Sequence, residues 1–143
     1  MPPVWLLIHA IGQLLLHRFL PGSQLIEFPW RWAGAVILAV TATTVILAAG
    51  VFSRRGTTIK PFEESSVLVT DGPWGFSRNP IYLAMLAALA GMAILCGSLT
   101  PWLALPSFFV IITTRFIQAE EEMLRARFGA EYDAYCARVR RWI

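Results

Sequence analysis

The residues of this chain that are best suited to chemistry lie in one short stretch, residues 71–82, with the sequence DGPWGFSRNPIY. Asn79 followed by Pro80 predicts the start of a helix, with Asn79 as the N-cap and Pro80 at the first helical position. The free N–H groups of a helix start, with Arg78 directly beside them, are suited to bind a carboxylate or a phosphate. The aromatic rings nearby, which could stack on a base or meet a cation, belong to Trp74, Phe76 and Tyr82. The stretch also fits an interfacial loop with aromatic anchors and one snorkelling arginine.

A second group of chemically useful residues is the run of carboxylates at Glu120, Glu121 and Glu122. One interpretation is a solvated helix held by salt bridges at i, i+4 spacing, such as Glu121 with Arg125. The other is that at least one carboxylate binds a cationic ligand. A helix start with an arginine for an anion, a carboxylate for an ammonium group and aromatic rings for a base would together suit a zwitterionic amino-acid nucleotide.

The composition predicts that a membrane protein positions these groups. The chain has 143 residues, of which 57% are hydrophobic and 15% charged, against about 45–50% and about 25% in a soluble domain. We predict an all-α integral membrane protein with a single domain over residues 1–143. The four apolar runs, each expected to form a membrane span, cover residues 3–20, 29–52, 80–97 and 101–117. The first run lacks a basic leader and a small-residue cleavage site, so we expect it to remain as a spanning helix.

The turn between the last two runs predicts that the two chemical groups meet. Residues 97–101 are too few for anything but an antiparallel hairpin, and Pro106 should kink the following helix or mark its first turns. Asn79 and Gln118 should therefore emerge on the same side of the membrane. This arrangement brings Arg78 towards the three carboxylates.

The distribution of basic residues predicts which side of the membrane this is. Nine of the twelve lie in the loop 53–79 and in the C-terminal helices 118–143, while Arg18 and Arg31 lie on the opposite side and Arg115 approaches the basic side. The positive-inside rule then places the loop, the C-terminal helices and both termini in the cytoplasm, with a bacterial inner membrane as the expected location.

The C-terminal segment is predicted to form an amphipathic tail folded against the bundle or the membrane surface. Gly129 should end one helix, and a second should run from Ala130 to about Arg140. An apolar stripe at spacings of three or four residues consists of Leu124, Phe128, Tyr132, Tyr135 and Val139. The opposite face should meet water and anionic lipid head groups and carries Arg125, Arg127, Arg138, Arg140 and Arg141.

One face of the first helix is polar, because His9, Gln13 and His17 recur at i, i+4 and i+8. We expect this face to turn into the bundle and to hydrogen-bond to neighbouring helices, although it could line a pocket instead. A metal or haem site would need ligands from other helices, and none is evident, so we predict no metal. Cys96 and Cys136 are not expected to form a disulfide.

Two motifs resemble those of a known family. Residues 72–82 resemble the G-P-x-x-x-x-R-[HN]-P-x-Y motif of the isoprenylcysteine carboxyl methyltransferase and phospholipid methyltransferase family. Residues 120–139 resemble its E-E-x-x-L-x-x-x-F-G-x-E-Y-x-x-Y-x-x-x-V signature, and residues 56–58, GTT, look like the bacterial branch. The resemblance covers roughly residues 54–143 and shows both motifs in order, flanking a two-helix hairpin.

This resemblance implies a small helical membrane methyltransferase with S-adenosylmethionine as cofactor, bound at the cytosolic membrane face. The C-terminal segment would close the pocket as a lid, and the alternative is that this tail is a passive surface anchor. The cofactor-binding residues that it implies are Arg78, Asn79, Pro80, Tyr82, Glu120, Glu121 and Tyr132. The candidate catalytic residues are Arg115 and Glu121. Asn79 stands where the isoprenylcysteine branch has histidine, and Ala84 where many members have glycine. The acceptor should be lipophilic and enter from the bilayer; a prenylated cysteine carboxylate, a lipid amine and a small apolar thiol all remain open.

Two other functional classes compete with a methyltransferase. A membrane reductase using NADPH is one, because sterol-type reductases resemble this group in architecture, but we expect the 2′-phosphate to need more basic residues than Arg78 and its neighbours. The other is a non-catalytic four-helix subunit, in which Glu120 and Glu121 are only surface charges. No general base is evident, and a carboxylate or thiolate acceptor would not need one. We expect membrane lipids as partners and no nucleic acid.

Overall fold

The computed structural model describes residues 1–54 and 68–143 of the chain. The described α-helices are α1 (Pro2–Phe19), α2 (Trp32–Arg54), α3 (Pro80–Cys96), α4 (Ala104–Ile112), α5 (Gln118–Phe128) and α6 (Ala130–Arg138). Shorter helical turns cover Gly72–Gly75 and Thr100–Leu103, and a π-helical turn covers Thr113–Ile117. These residues contain no strand, only an isolated bridge between Gln24 and Ser98. The all-α prediction is therefore confirmed for the described chain. The GTT motif at 56–58 and two basic residues, Arg55 and Lys60, lie outside it.

One continuous helix, Thr100–Phe128, runs from the turn after α3 through α4 and the π-helical turn to the end of α5. Its 29 residues make it the one helix, within the described residues, that is both long and apolar enough to cross a bilayer. Trp32–Leu47 and Pro80–Cys96 are shorter apolar helices. Pro106 lies in the first turns of this long helix, as expected. Of the four predicted spans, one lies in a helix that is long and apolar enough to cross a bilayer. The arrangement of four full spans stays a prediction.

The hairpin between α3 and the long helix closes as the sequence predicts. Gly97 ends α3 with a positive φ of 75°, a conformation that favours glycine. A Cβ at this position would lie 2.6 Å from the carbonyl oxygen of Ile26 and 2.6 Å from Nε2 of Gln24. The connection between α1 and α2 packs on this turn through N–H groups of Leu25 and Ile26, which donate to the Gly97 carbonyl at 2.8 and 3.0 Å. This end of the molecule is the turn end.

Helices α2 and α3 cross at two glycines. A Cβ on Gly34 would clash with the Gly91 carbonyl oxygen and lie 2.9 Å from the amide nitrogen of Leu95, and a Cβ on Gly91 would lie 2.9 Å from the Gly34 carbonyl oxygen. Backbones approach this closely only where small residues meet, as in helix pairs packed within membranes. The crossing fixes α3, whose first turn belongs to the site.

The polar face of α1 turns inward and ties the bundle together, as predicted. Gln13 is fully buried and donates from Nε2 to the carbonyl oxygens of Leu89 and Pro101, at 2.9 and 3.1 Å. Nδ1 of His17 lies 2.7 Å from the Ser98 hydroxyl. His9 differs, because its Nδ1 bonds within α1 to the Trp5 carbonyl at 2.7 Å. These contacts occupy the face with structural hydrogen bonds.

The outer surface of the bundle is strongly apolar. Exposed large hydrophobic residues occur along α1, α2 and α4, including Leu7, Ile11, Leu15, Val36, Val40, Ile46, Phe109 and Val110. The buried core, by contrast, is small and centres on Leu89, Phe108, Ile112 and Ile117. An apolar surface of this extent marks contact with a membrane or a partner.

Candidate functional site

The start of α3 forms one wall of the candidate site. Asn79 is the N-cap residue and Pro80 the first helical residue, as predicted, but the Asn79 side chain makes no capping hydrogen bond. Its Nδ2 instead donates to the carbonyl oxygen of Arg141 at 3.0 Å, while its backbone N–H donates to Oγ of Ser77 at 3.1 Å. The prediction of Asn79 as the N-cap is therefore confirmed, but its side-chain amide donates to the C-terminal tail, which runs past this helix start, rather than capping the helix.

Tyr82 and Glu120 join the first turns of α3 and α5. The Tyr82 hydroxyl donates to Oε1 of Glu120 at 2.6 Å. Burial raises the pKa of Glu120, which lies beyond the apolar part of its helix, to about 6, and the hydrogen bond from Tyr82 lowers it in part. Within the described residues no cationic side chain pairs with Glu120. The hairpin thus places a partly buried carboxylate here, and its hydrogen-bond partner among the described residues is a neutral hydroxyl.

Glu121, the next residue, faces the tail and forms ion pairs. Its oxygens accept from Nε and Nη2 of Arg141 at 3.0 and 2.6 Å, a bidentate arrangement, and Oε1 lies 3.5 Å from Nη1 of Arg78. The predicted pair with Arg125 is wrong, because Arg125 points outward and binds Asp133 at 3.0 Å. The prediction that Arg141 faces lipid head groups is also wrong, since its guanidinium reaches the buried Glu121.

Arg78 lies between the two acidic helices and the tail. Its side chain is only 14% exposed, and its Nη1 also contacts Sγ of Cys136. Nε is buried and has no hydrogen-bond partner among the described residues. Arg78 is therefore a largely buried cation with an unused hydrogen-bond donor, at the position where the sequence predicts an anion site.

The C-terminal tail packs across this site as an ordered layer. Tyr132 and Tyr135 are buried against Leu68, and the predicted apolar stripe, with Leu124, Phe128 and Val139, surrounds them. The Tyr135 hydroxyl donates to the Trp74 carbonyl at 2.7 Å, and burial raises the pKa of Tyr135 to about 12. The backbone N–H of Arg78 donates to the Arg140 carbonyl at 3.0 Å. The tail is therefore fastened to the stretch before α3 by main-chain and side-chain bonds.

The structure brings together most, but not all, of the predicted site residues. Clustered around the tail and the two helix starts are Arg78, Asn79, Pro80, Tyr82, Glu120, Glu121 and Tyr132. Tyr132 is only 1% exposed, so it supports the tail from within. Arg115 is exposed on the π-helical turn, and within the described residues its guanidinium makes no hydrogen bond or ion pair to the others. Of the other aromatic residues, Trp74 is buried and Phe76 is 67% exposed.

Three contributors to the site were not predicted: Arg141, Cys136 and Ser77. Arg141 stands in a cluster of five arginines, and helical periodicity does not show which of them turns inward. The hydroxyl of Ser77 accepts from Asn79 and lies 3.4 Å from the Arg141 carbonyl, a role that depends on the path of the tail. Within the described residues, no group of three or more His, Cys, Asp or Glu side chains is placed to hold a metal ion.

The chain matches the family model described as phospholipid methyltransferase over residues 30–131. It belongs to the phospholipid methyltransferase family. The match includes both helix starts and both acidic residues of the site, and it begins further towards the N-terminus than the two sequence motifs do, at the start of the α2 region. Members of this family are membrane methyltransferases acting on lipid-like substrates, so the chain is a methyltransferase by family.

Curated relatives of this phospholipid methyltransferase family member cover parts of the chain. A protein of Haemophilus influenzae, named "Uncharacterized protein", is 35% identical over 63 residues, which are 44% of this chain and 100% of that protein. The nickel-cobalt-cadmium resistance protein NccN of Alcaligenes xylosoxydans xylosoxydans is 29% identical over 76 residues, 53% of this chain but 35% of that protein. The chain thus spans all of the first relative and about a third of the second. No solved structure matches it.

Proposed function

We propose that this protein is an integral membrane methyltransferase that transfers a methyl group from S-adenosylmethionine to a lipophilic acceptor. The observation that carries the proposal is that one site contains two charged side chains, one acidic and one basic, whose ion-pairing or hydrogen-bonding groups are not all used within the protein. Glu120 is a partly buried carboxylate with no cationic partner among the described residues, and Arg78 is a largely buried cation whose Nε has no hydrogen-bond partner there. Removing such charges from water is costly unless a partner completes them.

The residues present fit the amino-acid part of this cofactor. Arg78 would hold its carboxylate, and Glu120 would hold its ammonium group, each through charge-assisted hydrogen bonds. When bound, S-adenosylmethionine supplies a methyl group already activated by the sulfonium. The protein's own contribution is then mainly to bind and orient the two reactants and to exclude water.

The other site residues have supporting roles in this proposal. Tyr82 orients the Glu120 carboxylate, and Glu121 is a positioning residue that holds Arg78 and Arg141 rather than a direct ligand. Asn79 and Pro80 set the start of α3, where free N–H groups face the site. Tyr132 supports the tail that covers it. Arg115, exposed where the apolar part of the long helix ends, remains the candidate that meets the head group of the acceptor.

The acceptor is proposed to reach the site from the bilayer. The apolar outer surfaces of α1, α2 and α4 support insertion of these helices, and with α3 they would form the four predicted spans. His9 and His17 are engaged within α1 and at the turn end, so neither serves the site as a general base. This favours an acceptor that is already anionic, a carboxylate or a thiolate, over an ammonium head group, which would first have to lose a proton.

The experiment that tests this function is transfer of a radiolabelled methyl group. Purified protein is incubated with labelled S-adenosylmethionine and a lipid extract of the host, and the labelled species is then identified. We expect label in a lipophilic product with the wild-type protein and its loss in the Arg78→Gln variant. Label appearing only in water-soluble material, or no transfer with several lipid extracts, would contradict the proposal.

A further inference from the structure

The end of the C-terminal tail carries positive charges that the candidate site does not use. Arg138 and Arg140 are both exposed, and within the described residues neither guanidinium makes a hydrogen bond or an ion pair. Arg141, the next residue, differs because its guanidinium is bound to Glu121 at 2.6 Å. Two neighbouring cations therefore remain available to a partner outside the fold.

Contacts of the last residues fix where these cations lie. The indole of Trp142 stacks on Phe109 of α4, with ring centroids 5.0 Å apart and an interplanar angle of 29°. Phe109 belongs to the apolar part of the long helix and is 39% exposed. The carbonyl of Arg140, two residues before Trp142, accepts from the N–H of Arg78, which lies two residues before α3 begins. The Arg140 side chain therefore starts close to the boundary where the polar stretch before α3 gives way to the apolar helix.

Acidic and basic residues lie at opposite ends of α6, and the basic end is the one nearer to the same boundary. Glu131 and Asp133 lie in its first turn, and Arg138 lies in its last turn. With nine residues, α6 is about 13 Å long, which separates the acidic start from the basic end. Acids first and bases last also suit the helix dipole. The dipole does not, however, account for the apolar Trp142 and the 65% exposed Ile143 that adjoin the basic end.

We propose that Arg138 and Arg140, together with Trp142 and Ile143, dock the tail onto an anionic bilayer surface. Charge complementarity and the adjoining apolar side chains both match a layer of anionic head groups above hydrocarbon. The docked tail is the one that covers the site, because the Arg140 carbonyl accepts from the N–H of Arg78 at 3.0 Å. An anionic membrane therefore stabilises the closed tail and, if the proposed function holds, strengthens cofactor binding.

The test uses the full chain in lipid nanodiscs of phosphatidylcholine alone or with about a third phosphatidylglycerol. The first measurement, which needs no cofactor, is amide hydrogen exchange in residues 130–143; the second is affinity for S-adenosylhomocysteine. We expect phosphatidylglycerol to slow tail exchange, with about fivefold of that protection lost for each of Arg138→Gln and Arg140→Gln. The matched control, Arg18→Gln, removes an exposed cation at the turn end and should keep the full lipid response. Salt near 1 M should weaken the response, because it screens charges beyond about 3 Å.

Several outcomes would overturn docking. One is equal amide exchange in residues 130–143 in both lipids, and another is a double Arg138→Gln, Arg140→Gln variant whose exchange responds to phosphatidylglycerol like that of the wild type. A third is slower exchange on adding inorganic phosphate in phosphatidylcholine alone, which would show a free-anion site. If the tail responds to phosphatidylglycerol but S-adenosylhomocysteine does not bind, docking stands and the proposed function fails. If the ligand binds while tail exchange ignores the lipid, docking alone is refuted.

Discussion

Glu120 and Glu121 are adjacent in sequence, yet the residues around them differ. Successive residues on an α-helix point about 100° apart, so Glu120 meets Tyr82 of α3 while Glu121 meets Arg141 of the tail. Among the described residues, Glu120 has no cationic partner, whereas Glu121 forms a bidentate ion pair with Arg141. The two acids should therefore respond differently to the same substitution.

Replacing Glu120 with glutamine tests its role as the ligand for the cofactor ammonium group. The variant keeps the size and the hydrogen bond to Tyr82 but removes the charge. We expect affinity for S-adenosylhomocysteine to fall by about 1.5–3 kcal/mol, the value of a hydrogen bond to a charged group. Isothermal titration of the detergent-purified protein measures it. Glu122→Gln is the matched control, because Glu122 is exposed and should change affinity little.

Glu121→Gln should affect the C-terminal tail more than Glu120→Gln does, and should affect cofactor binding only indirectly. Loss of its charge weakens the bonds to Arg141 and Arg78, so amide exchange in residues 130–143 should accelerate more than in Glu120→Gln. Cofactor affinity would then fall only through the looser tail. A Glu121→Gln protein with wild-type tail exchange would contradict the positioning role given to this residue.

The pKa of Glu120 also predicts a pH dependence of binding. Because burial raises this pKa to about 6, the carboxyl is mostly neutral at pH 5 and mostly ionised at pH 7, so affinity for S-adenosylhomocysteine, whose ammonium group Glu120 would hold, should rise across this range. The stability of the folded protein should change with pH in the opposite direction to this affinity. A raised carboxyl pKa favours folding at low pH, and this contribution is lost as the pH rises through about 6. Titrations between pH 5 and 8 measure the affinity, and Glu120→Gln should flatten the curve.

At the residue scale, the sequence was sufficient to predict that Arg78, Tyr82 and the carboxylates lie close together. The motif spacing and the short 97–101 turn place them at one end of an antiparallel hairpin, and the structure agrees. It was not sufficient to identify Arg141, because periodicity assigns a face to a helix, whereas Arg141 lies beyond the end of α6 and reaches Glu121 through the path of the tail.

At the scale of elements, the position of the site depends on how α2 and α3 pack. Gly34 and Gly91 let the two backbones approach closely. Gly34→Ala should force the helices apart and destabilise the protein by about 1–3 kcal/mol, as overpacking does. Thermal unfolding in detergent measures the change. Gly12→Ala is the matched control, since nothing lies within 4 Å of its added Cβ, and alanine there should stabilise by about 0.5–1 kcal/mol. Equal stability of the two variants would contradict the close crossing.

Most elements followed from apolar runs and turn residues, and those that did not have local causes. The starts of α3 and of the long helix agree with the predictions because Pro80 and Gly97 punctuate the chain strongly. The π-helical turn at Thr113–Ile117 was not predicted, because its extra residue per turn leaves no mark in a sequence of ordinary helix-forming residues. It lies between the apolar part of the helix and Glu120, where it sets the rotation of the acidic end.

At the scale of the whole molecule, the chain has two different ends. The turn end is held by backbone bonds between the α1–α2 connection and Gly97. The site end gathers buried and partly buried charges that are only partly paired, under a tail that packs on them. Such a contrast is expected when one end binds a charged ligand and the other only closes the bundle. The four-span arrangement and the cytoplasmic location of the site end remain predictions.

Whether this protein binds S-adenosylmethionine is decided by a pair of titrations on the full chain, one with S-adenosylhomocysteine and one with NADPH. We expect saturable binding of S-adenosylhomocysteine, lost in Arg78→Gln and weakened in Glu120→Gln, and no comparable response to NADPH. Tight NADPH binding with no response to S-adenosylhomocysteine would contradict it in favour of a reductase. Binding of neither ligand would leave a non-catalytic subunit as the better account.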